Sequence, residues 1–195
     1  MSRLRERENE IMIKYNICFI KRGDEILLLN RKFAPWMGRW NGVGGKLEMG
    51  EEPRDAMIRE IAEETNLEPD LYRLHYKGMI TWNDDDASFG GMYLYVAEVP
   101  AGFAYPTPVR TEEGILHWMP IDWMMDEDNG GVVSNIPRFL ESALSDTNCY
   151  EHHCYYRKDE LVSLSSCAID PFTETDRLLR ETYLREAHRE VLAVG

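Results

Sequence analysis

The stretch that decides the reading is Gly44-Gly45-Lys46-Leu47-Glu48-Met49-Gly50-Glu51 and, after Glu52, Pro53-Arg54-Asp55-Ala56-Met57-Ile58-Arg59-Glu60-Ile61-Ala62-Glu63-Glu64-Thr65-Asn66-Leu67. Its second half predicts a helix from Pro53 to Thr65. Proline is tolerated in a first turn, where its missing N–H costs nothing, and Asn66 can take the left-handed conformation that closes a helix. Glu60, Glu63 and Glu64 stand at i, i+3 and i+4 and share one face. Ile58, Ile61, Ala62 and Thr65 have the same spacing on the other side and are expected to dock on a core. Clustered carboxylates repel unless a cation sits among them, and an all-oxygen set suits Mg²⁺ or Mn²⁺ rather than zinc. A solvated acidic face would show the same pattern, so the context must decide. Upstream, Gly44 and Gly45 let backbone approach a ligand closely. Glu51 adds a fourth carboxylate near the start of the helix. Arg59, beside Glu60 and four residues before Glu63, is placed to hold a glutamate.

Outward from this segment the chain reads as alternating strands and turns. Ile11–Ile20 and Glu25–Asn30 predict a hairpin about Arg22-Gly23-Asp24, where glycine supplies backbone freedom. Residues 33–50, rich in Gly and Trp, predict loops around a short strand. Strands are expected at Leu71–Trp82 and Gly91–Val99, about the acidic turn Asn83-Asp84-Asp85-Asp86, and at Ile115–Met119. A loop is expected over 122–134, then a helix over Ile136–Leu144 capped by Ser134 or Asn135. Tyr150–Leu164 reads equally as strand or irregular chain. Thr173–Leu192 has helical composition, with Leu178, Leu179, Tyr183, Ala187 and Val191 as its packing stripe.

Composition bounds the function. With 195 residues, 44% hydrophobic and 29% charged, the chain can bury one good-sized core. No apolar run spans a bilayer, and MSRLRERENE is not a secretory signal, so a cytoplasmic location without a membrane partner is expected. The net charge of −13 argues against a stable complex with long nucleic acid, which needs a basic footprint. It is compatible with a small phosphorylated substrate if divalent cations intervene. Cys18 reads as a buried reduced thiol, and no disulfide framework is expected.

The spacing Gly45, five residues, Glu51, seven residues, then Arg59-Glu60-Ile61-Ala62-Glu63-Glu64-Thr65-Asn66-Leu67 resembles the Nudix box. One fixed position departs: Asn66 stands where glycine is usual, and Asn is the next best residue for a left-handed terminus. The resemblance implies an α/β (α+β) fold, the Nudix αβα sandwich with a mixed β-sheet between helices. Residues 1–145 would form the Nudix domain, and 146–195 a C-terminal extension ending in a helix, packed on or beside it. It implies hydrolysis of a nucleoside diphosphate linkage with Mg²⁺ (or Mn²⁺) as cofactor. Glu60, Glu63, Glu64 and the carbonyl of Gly45 would hold the metal. Glu60, Glu63 and Arg59 would belong to the catalytic set, and a loop glutamate such as Glu113 shares candidacy as general base with the helix glutamates.

The segment Gly38-Arg39-Trp40-Asn41-Gly42-Val43-Gly44-Gly45-Lys46 resembles the loop of Nudix enzymes that hydrolyse oxidised purine nucleoside triphosphates, which makes an 8-oxo-dGTP-like substrate the leading expectation. Asn41 would read the base edge, or else hold the glycine loop by bonding backbone. Gly44, Lys46 and Trp40 complete that side. Asn135 is a second base-reading candidate, though a plain helix cap is the simpler role. Trp36 and Trp123 serve as core or as stacking platform. GDP, ADP-ribose, dinucleoside polyphosphates and an RNA 5′ end stay open as substrates, as does a module that binds nucleotide without cutting it. Monomer and homodimer both remain open. Cys149, His152, His153 and Cys154 are too compressed for a zinc site, since strand alternation would split His153 from His152 and Cys154.

Overall fold

The computed structural model describes residues 13–85, 88–158 and 160–194, with backbone alone for 189–194. Ile11, Met12, Asp86 and the side chains of Val191 and Leu192 lie outside the described residues. The first hairpin forms from β1 (Tyr15–Arg22) and β2 (Glu25–Arg31). Arg22 pairs with Glu25, so the turn shrinks to Gly23-Asp24, with Gly23 at φ +57°. The expected tripeptide turn therefore loses Arg22 to the strand.

The remaining strands are β3 (Trp40–Asn41), β4 (Arg73–Asn83), β5 (Phe89–Glu98), β6 (Val109–Arg110), β7 (Gly114–Pro120), β8 (Cys149–Arg157) and β9 (Glu160–Ile169). Together they form one mixed sheet in the order β6-β7-β2-β1-β5-β4-β8-β9, with β3 against β2. The pairs β1–β5 and β4–β8 are parallel and the others antiparallel. Helix α1 (Pro53–Thr65) and α4 (Arg177–Val194) cover one face, and α2 (Ile121–Met125) and α3 (Ile136–Ser145) the other. The expected sandwich is the observed fold.

Packing explains which faces are used. Met57 and Ile61 of α1 pack in one cluster with Cys18, Ile20 and Leu27 of the sheet, and Ala56 and Thr65 of the same helix are buried. Burying a side chain the size of Met57 or Ile61 contributes about 1.5–3 kcal/mol. Ile58 and Ala62 are only half-buried, so the docking face is turned slightly from the expected one. Across the sheet, Phe139 of α3 meets Phe19 edge-on at 5.9 Å.

Three expectations are corrected. Residues 121–125, read mostly as loop, form α2, because Met124 buries fully and Ile121 donates its N–H to Asp24. The ambiguous segment from Tyr150 is a hairpin, β8 and β9. On α4, Leu178 is exposed while Arg180 and Leu184 are buried. The packing stripe is rotated because Arg180 donates to the carbonyls of Thr173 and Glu174 at 3.0 and 2.7 Å.

Strand β8 carries polar groups into the interior. Glu151 accepts from Thr81 Oγ1 at 2.6 Å and from Tyr183 Oη at 2.5 Å. His153 bonds Thr81 through Nδ1 at 2.8 Å and Asn83 through Nε2 at 2.9 Å. On the opposite face, His152 stacks on Phe139 at 5.2 Å, its Nδ1 bonded to Ser166 at 2.7 Å and its Nε2 buried without a partner. Burial pushes His152 down to about 4. The unfolded chain, with an ordinary histidine near 6.5, therefore binds a proton that the native state refuses. The contribution of His152 is fully present above about pH 6.5 and is lost as pH drops toward 4, by an amount on the order of 3 kcal/mol. His152→Phe should flatten that limb in urea melts between pH 7 and 4. An unchanged slope would mean that His152 is not the group responsible.

Candidate active site

Helix α1, the run Val43–Lys46 and β1 meet around the glycine loop. Helix α1 ends as its sequence demands, with Asn66 at φ 57° and ψ 27° and its N–H bonded to the carbonyl of Ala62. The strand-like run Val43–Lys46 lies beside β1: Cys18 and Val43 exchange bonds at 2.7 and 3.0 Å, and Asn16 donates to Gly45 O at 2.9 Å. This brings Gly45 against α1 so closely that a Cβ there would meet Glu60 Oε2 at 2.5 Å. Gly44 donates its N–H to Glu64 Oε2 at 3.3 Å. Sequence spacing thus brings the glycine loop and the helix carboxylates together.

Arg59 is the hub. Its guanidinium makes a fork to Glu51, 2.9 Å to each oxygen, and reaches Glu60 at 2.8 Å, Glu63 at 3.3 Å and the carbonyl of Lys46 at 3.2 Å. Such bidentate, charge-assisted bonds fix orientation as well as charge. Arg59 holds Glu51 below the usual carboxylate range, while Arg59 itself is held firmly protonated. Every N–H of the guanidinium is engaged by these groups, so Arg59 holds Glu51, Glu60, Glu63 and the Lys46 carbonyl in place. Glu51 is its partner and also accepts the Glu48 N–H at 2.9 Å.

The carboxylates differ in setting. Glu63 is exposed and Glu60 buried. Burial raises Glu60 above the usual range and outweighs its ion pair with Arg59. Burial likewise pushes Glu64 up to about 8, with the charges of Glu60 and Glu113 adding and Arg31 opposing. Glu113 itself stands exposed in the turn before β7, its carbonyl bonded to the N–H of Lys32 at 2.8 Å.

A divalent cation suits this oxygen-rich corner. Glu60, Glu63 and Glu64 present carboxylates from one helix face, and the Gly45 carbonyl, bonded once by Asn16, keeps a second lone pair. Positive charge placed there relieves the mutual repulsion that helps to raise Glu64. In the arrangement described, Arg59 holds the place of that charge between Glu60 and Glu63, and no three acidic, histidine or cysteine side chains among the described residues form a metal-sized cage.

The base-side candidates fall around β3. Asn30 of β2 pairs with Trp40, and Trp40 bonds Gly131 and Val133 through its N–H and carbonyl at 2.8 and 3.1 Å. This ties Trp40 and Asn41 to the segment that leads into α3 and Asn135. Asn41 Oδ1 accepts the N–H of Gly42 at 2.9 Å, which is the loop-holding role, and leaves Nδ2 available. Asn135 does not cap α3 with its side chain; Nδ2 turns to Cys154 Sγ at 3.8 Å. The simple cap is corrected because its backbone is already helical, at φ −85° and ψ −21°. Trp36, Trp40 and Trp123 are half-buried, and the side chain of Lys46 is exposed. The compressed cysteine–histidine cluster is split between faces, with His152 and Cys154 toward α3 and His153 toward Phe89.

Sequence reasoning missed Asn16. It is buried, accepts the Gly45 N–H at 3.1 Å through Oδ1, and keeps Nδ2 buried without a partner. An Asn inside the apolar run Tyr15–Ile20 was the signal available.

A family model described as the NUDIX domain matches residues 13–138. YvcI of Bacillus subtilis, an uncharacterized Nudix hydrolase, is 33% identical over 109 residues, 54% of this chain and 64% of that protein. The oxidized purine nucleoside triphosphate hydrolase of Mus musculus is 31% identical over 109 residues, 55% of this chain and 66% of its own. The match thus spans just under two thirds of each relative. Among solved structures, a MutT protein from Bacillus halodurans superposes with a TM-score of 0.62 at 22% identity, covering 80% of this chain and 97% of that one. That likeness shows the fold.

Arg59→Ala leaves Glu51 and Glu60 without their counter-charge. Without divalent ions it should cost about 2 kcal/mol of stability in urea melts. Millimolar Mg²⁺ should recover a good part of that loss and stabilise the variant more than the parent chain. Equal Mg²⁺ shifts in both proteins would show that Arg59 does not hold the place of the cation.

Proposed function

The chain belongs to the Nudix family, and from that premise we propose that it hydrolyses purine nucleoside triphosphates of the 8-oxo-dGTP kind with Mg²⁺, releasing nucleoside monophosphate and pyrophosphate. The observation that carries the reading is the position of β3. Through Gly42–Gly45 it connects Asn41 to the carboxylates of α1, and through Val132–Val133 it connects Asn41 to Asn135. The two residues we assign to base reading and the carboxylates we assign to phosphate cutting are thus linked through one strand, which supports the reading. Asn41 keeps an amide donor and Asn135 an amide oxygen, a donor and acceptor suited to a purine edge. The mouse enzyme that matches this chain supports the same substrate class.

The chemistry is displacement at the α-phosphorus. Water supplies the new P–O bond, the bond to the bridging oxygen breaks with its electron pair going to pyrophosphate, and a carboxylate takes the water's proton. Glu60, Glu63, Glu64 and the Gly45 carbonyl would hold the cation, which when bound offsets phosphate charge and favours attack by water. Glu113, exposed and near enough for its charge to act on Glu64, is the loop candidate for the proton, and Glu63 the candidate on the helix. Arg59 keeps Glu60 and Glu63 oriented throughout. The acidity of the rest of the surface favours a small nucleotide over long nucleic acid.

Chromatography of 8-oxo-dGTP incubated with protein and Mg²⁺ should show monophosphate and pyrophosphate. Glu63→Gln should stay folded and lose at least about 10²-fold in kcat. Asn41→Ala should raise KM for purine triphosphates more than for pyrimidine ones. Release of orthophosphate as the first product, or a fully active Glu63→Gln, would overturn the proposal.

A further inference from the structure

Three cations gather where β2 ends. Arg31 and Lys32, with Arg110 of β6, line a cleft of about 330 Å³ together with Asn30 and Thr111. That size falls within the range of small-ligand pockets, ~300–1,000 Å³. In a chain of net charge −13, a cleft with three positive side chains is a local reversal of sign. Lys32 and Arg110 enter no ion pair among the described residues. Arg31 donates Nε to the Pro35 carbonyl at 2.9 Å, which anchors the guanidinium and leaves its terminal nitrogens free to face the cleft.

The β6–β7 side of the cleft is tightly built. Thr111 and Gly114 close the β6–β7 turn on each other, with N–H bonds of 2.9 and 3.1 Å. A Cβ at Gly114 would run into the carbonyl oxygen of Asn30, so β7 approaches β2 as closely as a glycine allows. Glu112 and Glu113 are the opposing charges, and both are exposed on that turn. The cleft also has neighbours of interest on two sides. Asn30 pairs with Trp40, one residue from Asn41, while Arg31 and Glu113 both act on Glu64 through their charges.

We propose that this cleft, granting the triphosphate reading above, is the subsite for the terminal phosphates of the substrate, the portion that leaves as pyrophosphate. A guanidinium engages phosphate oxygens in a planar fork, and an ammonium engages them as a point charge. When the bridging bond breaks, the departing oxygen gains a negative charge, which Arg31, Lys32 and Arg110 are placed to offset. The cleft therefore selects chains ending in free phosphates over those whose second phosphate carries a sugar or another nucleoside.

The test is titration calorimetry with inorganic pyrophosphate in EDTA, which needs no turnover. The parent chain should bind. Lys32→Ser and Arg110→Ser should each weaken binding roughly tenfold, about one lost charge-assisted bond, and Arg110→Lys should recover part of it. Lys158→Ser, which removes the same charge at the opposite edge of the sheet, should bind like the parent. No binding to the parent, or equal binding by all variants, overturns the subsite. Triphosphate hydrolysis with unchanged KM in Lys32→Ser and Arg110→Ser also overturns it and leaves the proposed function intact. Pyrophosphate binding that the variants lose, with no triphosphate cut, sinks the triphosphate reading and with it the assignment to the leaving pyrophosphate, and leaves only a diphosphate-binding cleft.

Discussion

One guanidinium shared among three carboxylates is the constraint on which the site depends. Glu51, Glu60 and Glu63 come from a loop and from two turns of a helix, and left alone they would repel one another and the backbone carbonyls nearby. Arg59 holds all three within 3.3 Å and bonds the Lys46 carbonyl as well. It thereby ties the glycine loop to α1. The cost of gathering negative charge is met inside the protein, and the helix can present its acidic face without splaying the loop away. A network of this type is worth more than an exposed ion pair, because its members are partly shielded and its geometry is bidentate.

Much of this was legible because it rests on local rules. Carboxylates at i, i+3 and i+4 share a face on any helix, an Asn after Thr65 closes the helix, and glycines at 44 and 45 announce close backbone approach. The hairpin of β1 and β2 and the strands β4 and β5 followed from apolar runs and turn residues. What the sequence could not convey was the role of contacts made across long separations. Asn135 looks like a cap because it precedes a helix, yet its amide turns to Cys154, 19 residues on. Asn16 looks like a stray polar residue, yet it bonds Gly45 from 29 residues away.

The C-terminal segment was illegible for a related reason. A strand buried on both faces is expected to read as a continuous apolar run, but β8 reads Cys-Tyr-Glu-His-His-Cys. Glu151 and His153 are tolerated because they find partners, Glu151 in Thr81 and Tyr183 and His153 in Thr81 and Asn83, whereas His152 is carried with one nitrogen unpaired. Buried polar groups of this kind are costly alone and stable together. No periodicity reveals them, since each partner is supplied by a different element. The same network draws in α4, whose Tyr183 reaches Glu151, while the stripe of that helix is turned by Arg180, buried against the carbonyls of Thr173 and Glu174.

Charge organises the molecule on a larger scale as well. An acidic surface repels the anionic substrate that a Nudix site requires, and that repulsion must be overcome where the substrate binds. The structure meets it at two neighbouring places. At α1 the carboxylates are kept oriented by Arg59 and suited to a divalent cation, which would reverse the local sign. At the end of β2, Arg31, Lys32 and Arg110 make the sign positive without any cation. On the proposed reading, three positive side chains near the helix carboxylates, in a chain of net charge −13, would draw a small anion to the site and disfavour long polyanions that must cross the rest of the surface. Selection for size and selection for charge would then follow from one distribution of side chains.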